Sequence, residues 1–128
     1  MNPDPNEHTR RGVYIFHKRN MRLPFLEVFD SPDALLSCAR RESSTHAPQG
    51  LELLNGSLTQ QASVAMAKRL AKEAGASRSK QIEQGFRLAL GRSPSKKERE
   101  ASLRFLASSP LREFALALFA SNDFLYVK

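Results

Sequence analysis

From Ser57 to Phe119 apolar residues return every three or four positions, and each run is closed by a glycine or opened by a capping signal. Leu58, Ala62, Ala65, Met66 and Leu70 mark one face of a helix that Gly75 ends, and Ser57 with Gln60 reads as a capping box at its start. The spacing predicts a second helix over residues 79–90, with Ile82, Phe86, Ala89 and Leu90 on one side and a stop at Gly91. Ser95 and Glu98 form another predicted capping box, opening a helix that carries Leu103 and Leu106. Ser109-Pro110 then introduces a helix in which Leu111, Phe114, Ala115, Leu118 and Phe119 keep helical spacing. Upstream, Ala47-Pro48 begins a two-turn helix that ends at Asn55-Gly56, a pair that tolerates the left-handed conformation. Ser31, Pro32 and Asp33 predict one more short helix over 32–37. No segment alternates in the manner of a strand, so the expected fold is all-α, a small bundle of five or six short helices.

The first third reads differently. Residues 1–12 hold Pro3 and Pro5 and little apolar content, and are expected to be a disordered tail. From Val13 to Asp30 short apolar bursts flank the basic "HKRNMR", and Pro24 discourages a helix through the middle. This part is expected to be irregular chain packed across the bundle. Residues 13–128 then make a single helical domain, expected to be the C-terminal fragment of a larger multidomain protein.

Charge narrows the partner classes. The chain of 128 residues has 20 Lys and Arg against 13 Asp and Glu, a net charge of +7, which favours anionic partners. The excess is concentrated between Lys68 and Arg112, where twelve basic residues face four acidic ones. Lys96, Lys97 and Arg99, after the turn "GRSPS", give a candidate basic face with the outline of a helix-turn-helix reader. Glu98 and Glu100 interrupt it and no Asn or Gln in the first turn would read bases, so a solvated face is preferred and nucleic acid is not the expected partner. The longest apolar run, Phe114 to Ala120, is well below the roughly 20 residues a spanning helix needs, so membrane insertion is not expected. Neither is a signal peptide, since Val13 to Phe16 is too short for its core.

The densest group of reactive side chains is "SCARRESSTHAPQGLELLN", residues 37–55. Arg40 and Arg41 lie just before a predicted helix start, where unpaired N–H groups and the positive helix end suit an anion, with Thr45 and His46 as further donors. The competing reading pairs these arginines with internal carboxylates such as Glu27, Asp30, Asp33 or Glu42, and it is the preferred one. Cys38, the only cysteine, with His46 and His17 does not match the spacing of a metal site, and no catalytic motif is present, so no catalytic or metal-binding residue is assigned.

Four segments in order, "RRGVYIFHKRNMRLPFLEVFDSPD", the 37–55 stretch, "FRLALGRSPSKKERE" and "FASNDFLYV", resemble the C-terminal domain of unknown function of planctomycete-type multidomain cytochrome c proteins, over about Arg10 to Val127. The resemblance implies a domain that supports or docks other domains of its parent protein, with haem expected only in upstream domains and none in this chain. Related full-length proteins are usually exported, so the compartment is left open. The matching positions are Lys18, Arg19, Arg40, Arg41, Thr45, Pro48, Gln49, Asn55, Asn122 and Phe124, a polar set that can act as a fastening system or line a cleft. Gly50, Ala120 and Asp123 depart from the family pattern, which has alanine, asparagine and glutamate there, and Lys128 replaces an acidic residue. The alternative function is an anion- or nucleic-acid-binding module, using the Arg40-Arg41 corner or the basic 68–112 face.

Overall fold

The computed structural model describes residues 12–14, 23–32, 37–40, 44 and 47–126. The chain separates into two compact units, Met1–Thr45 and His46–Lys128. The described residues contain helices and no strand, so the all-α class holds. None of these helices is long and apolar enough to cross a membrane. The expected tail up to Arg11, residues 33–36 of the expected 32–37 helix, and Lys18, Arg19, Arg41, Thr45 and His46 lie outside the described residues.

In the first unit a 3-10 turn spans Gly12–Tyr14, and α1 spans Pro24–Val28. The expectation of irregular chain around Pro24 is corrected here. Pro24 occupies the first helical turn, where its missing N–H has no partner to lose and its fixed φ suits the helix, so it starts α1 instead of breaking it. Phe25 and Phe29, four residues apart, bring their rings to 5.0 Å. The helix closes in a Schellman pattern: the Asp30 N–H donates to the Glu27 carbonyl (3.1 Å) and the Ser31 N–H to the Leu26 carbonyl (2.9 Å). Asp30 holds the left-handed position, φ 56°, that glycine usually fills. Its carboxylate accepts from the Ser44 N–H (2.7 Å) and from the Ser44 hydroxyl (2.8 Å).

The second unit is a bundle of α2 (Ala47–Asn55), α3 (Ser57–Ala74), α4 (Arg78–Leu90), α5 (Lys96–Ser108), α6 (Leu111–Phe119) and α7 (Asn122–Leu125). Helices α2, α3 and α4 begin and end within a residue or two of their predicted bounds and α5 and α6 begin so, whereas α7, one turn long, carries too little periodicity to be foreseen. Helix α6 lies against α3 and α4 and makes its broadest contact with α3. Leu70, Ile82 and Ala115 are fully buried at the centre, with Phe86 and Phe114 beside them at 6.4 Å between ring centroids. Gly85 is required by this seam: a Cβ there would stand 2.8 Å from Phe114 Cε1.

Four local expectations are corrected. The α3 stripe facing inward is Thr59, Ser63, Met66 and Leu70, one position round from the predicted face, which leaves Leu58 and Ala65 exposed. Short hydroxyl residues can take that face because they occupy little space and satisfy themselves locally, as Ser63 Oγ does by donating to the Gln60 carbonyl at 2.7 Å. The Ser57–Gln60 box does not form. Gly56, with extended backbone, is the N-cap of α3, and the Gln60 amide instead donates to the Leu54 carbonyl (2.6 Å) while its oxygen accepts from Arg112 of α6. Gly56 is correspondingly not a left-handed stop for α2 (φ −63°). On α5, Leu106 is buried, but Leu103 remains 40% exposed.

Candidate functional site

The richest side-chain chemistry in the described structure gathers where α4 turns into α5. Gly91 ends α4 in the left-handed conformation (φ 68°, ψ 8°), its N–H donating to the Arg87 carbonyl at 3.1 Å. Ser95 then caps α5 in a complete capping box: Ser95 Oγ accepts from the Glu98 N–H (3.3 Å) and Glu98 Oε2 accepts from the Ser95 N–H (2.7 Å). These two devices, both legible in sequence, set the turn that holds Arg92 and Ser93.

Arg92 is the hub of this turn. Its guanidinium donates through Nη1 to Glu98 Oε2 (2.9 Å), and through Nη2 to Glu98 Oε1 (2.6 Å) and Asp123 Oδ2 (2.5 Å). The fork against Glu98 is the bidentate arrangement arginine is shaped for. The same guanidinium lies 5.6 Å from the centroid of the Phe86 ring, so one cation touches the capping box, the C-terminal helix and the edge of the apolar core.

A second cluster lies along the outer side of the α4–α5 pair. Glu83 accepts from Ser93 Oγ (2.7 Å), Arg99 Nη2 (2.5 Å) and Arg87 Nε (3.1 Å), while Arg99 Nη1 donates to Ser79 Oγ (3.1 Å). Ser79, Lys80, Glu83, Gln84, Arg87 and Arg99 line a shallow surface depression of about 490 Å³.

These contacts fix the charges. The fork to Arg92 is the main cause that holds the Glu98 carboxyl down at about 2, and bonds to Ser95 add to it. Glu83 is lowered chiefly by the hydrogen bond from Ser93 and then by Arg99. Glu98 in turn raises the Arg92 guanidinium further above its already high value. Carboxylates held ionised in this way are poorly matched to proton transfer near neutral pH, and as acceptors they are already occupied. The arrangement is suited to fastening chain segments together.

Of the sequence-predicted residues, Arg40, Gln49, Asn55, Lys96, Lys97 and Arg99 fall among those described. Arg99, one of the three candidates for a basic face, points its guanidinium at Glu83 and Ser79, whereas Lys96 and Lys97 are exposed in the first turn of α5. Arg40 is exposed, and its carbonyl accepts from Cys38 Sγ at 3.1 Å. Gln49 is 3% exposed in the first turn of α2, and its Oε1 accepts from the Tyr126 hydroxyl at 3.3 Å. Asn55 donates through Nδ2 to the Leu51 carbonyl (3.2 Å), within its own helix. Among the described residues no three His, Cys, Asp or Glu side chains are grouped as metal ligands. Sequence reasoning missed Arg92, Ser93, Glu83 and Asp123. The available signals were the Glu83–Arg87 pair at i,i+4 and an arginine enclosed between a helix stop and a capping box.

Residues 2–106 match the family model described as PSD1, a protein of unknown function (DUF1553), and the chain belongs to that family. No curated protein matches the chain, and neither does any solved structure.

Proposed function

We propose that this member of the DUF1553 family is a non-catalytic helical module that supports and docks other domains of a parent protein of the planctomycete cytochrome c type, with haem carried by those other domains. What supports the reading is that the acids and bases with the best geometry for chemistry, Glu83, Glu98, Arg92 and Arg99, are engaged with one another and with Ser79, Arg87, Ser93 and Asp123. The module also offers apolar surface for contact: Leu51 and Leu54, three residues apart on α2, are 57% and 44% exposed. The test is limited proteolysis of the full-length parent protein beside its Leu51→Glu/Leu54→Glu variant. A docked module is cut more slowly in the wild-type parent than in isolation, and the double variant removes that protection. Equal cleavage of the isolated module and the wild-type parent overturns the reading.

One observation favours a second reading, an anion- or nucleic-acid-binding module. Lys96 and Lys97 are exposed and have no carboxylate partner among the described residues, and exposed Lys80 lines the nearby depression. Binding of a polyanion to this face predicts a linear fall of log affinity with log salt that flattens in Lys96→Ala/Lys97→Ala. Undetectable binding at low salt overturns it.

A further inference from the structure

The last described segment, α7 with Tyr126, is attached to its unit in an unusual way. No residue of α7 is buried, and a single helical turn has no stability of its own. Among the described residues three side-chain contacts hold the segment: Asp123 to Arg92 at 2.5 Å, the Phe124 ring to Phe119 at 5.1 Å, and the Tyr126 hydroxyl to Gln49 at 3.3 Å. Two of these join it to distant places, the α4–α5 turn and the first turn of α2. The outer partners are all open to solvent, with Asp123 49%, Phe124 37% and Tyr126 36% exposed.

We propose that residues 122–126 form a releasable strap, held over the first turn of α2 and the end of α6 by an ionic latch at Arg92, and that screening of this latch by salt opens it. The latch is asymmetric. When Asp123 leaves, Arg92 keeps both hydrogen bonds to Glu98, so the α4–α5 turn stays intact and only the strap moves. Opening breaks the Tyr126–Gln49 bond and uncovers one side of Phe119, and leaves the Leu70–Ile82–Ala115 centre untouched. An exposed ion pair is weak and strongly screened as the Debye length shrinks to about 3 Å at 1 M salt, whereas apolar burial is not screened. Salt therefore acts on the strap and the core separately. This device is independent of the docking reading, since it requires no partner.

Residue-resolved hydrogen exchange of the whole chain tests it at the Phe124, Leu125 and Tyr126 amides, which donate to the Ser121 and Asn122 carbonyls of the same turn. Moving wild type from low to about 1 M salt should speed these amides about two- to fivefold. Asp123→Asn should show the faster rate already at low salt, with no further response to salt. Tyr126→Phe, which keeps the ring and loses only the bond to Gln49, should speed them while retaining the salt response. Amides inside α3 and α4 should not change. Strap amides insensitive to salt in wild type, or strap and α3 amides accelerating together, would overturn the proposal, and the wild-type salt series decides even if Asp123→Asn does not fold.

Discussion

Helix α4 has two sides built on different physics. One side carries Ile82, Gly85 and Phe86 into the seam with α3 and α6, where contact is apolar and close. The other carries Glu83 and Arg87 to the α4–α5 pair, where contact is ionic and half open to water. The seam derives its strength from burial and fit, so it is sensitive to a methylene and indifferent to salt. The charged side derives its specificity from hydrogen-bond geometry and contributes less stability, because exposed ion pairs are screened. The first side defines that the bundle folds, and the second defines how its α4–α5 corner is set.

Substitutions can separate the two. The largest loss is expected at the seam: Leu70→Ala removes a fully buried side chain, and denaturant unfolding should show a loss of about 2 to 5 kcal/mol. Gly85→Ala forces a methyl toward the Phe114 ring, for which about 1 to 3 kcal/mol and a lower thermal midpoint are expected. Ser95→Ala removes the cap of α5 at about 1 kcal/mol, and should loosen exchange at the Glu98 amide before any change inside α4. The smallest effect comes from acid. The Glu98 carboxyl is depressed in the folded state, so its stabilisation is fully present above the unfolded value of 4.5 and is lost as pH falls toward about 2. A melting series across that window should decline at low salt and decline less at high salt. A seam substitution such as Leu70→Ala should lower every point of the series while leaving its shape. If Leu70→Ala instead abolished the acid dependence, the two sides of α4 would be one cooperative network and the contrast would fail.

The sequence revealed what was local. Gly91 and the Ser95–Glu98 box act within a few residues of themselves, so helix stops and starts around the corner were read correctly. The same box pattern at Ser57–Gln60 failed because tertiary demand took its second member: Gln60 reaches Leu54 and Arg112, partners that no neighbouring residue announces. The inward stripe of α3 was misplaced for a related reason. Hydropathy favours Leu58 and Ala65 over Thr59 and Ser63, but a tight approach of helices rewards small side chains that bond their own backbone. The site was the least legible part. Arg40 and Arg41 drew attention through adjacency, and Arg41 lies outside the described residues; among those described the ionic hub is Arg92, whose partner Asp123 lies 31 positions away.

That distance has a consequence for biosynthesis. At about 5 to 20 residues per second, Asp123 is added to the chain roughly 2 to 6 seconds after Arg92. Throughout that delay Arg92 has Glu98, only six positions on, as an early companion. The nascent corner can be set before its last contact exists, and the C-terminal turn arrives to a docking cation already aimed.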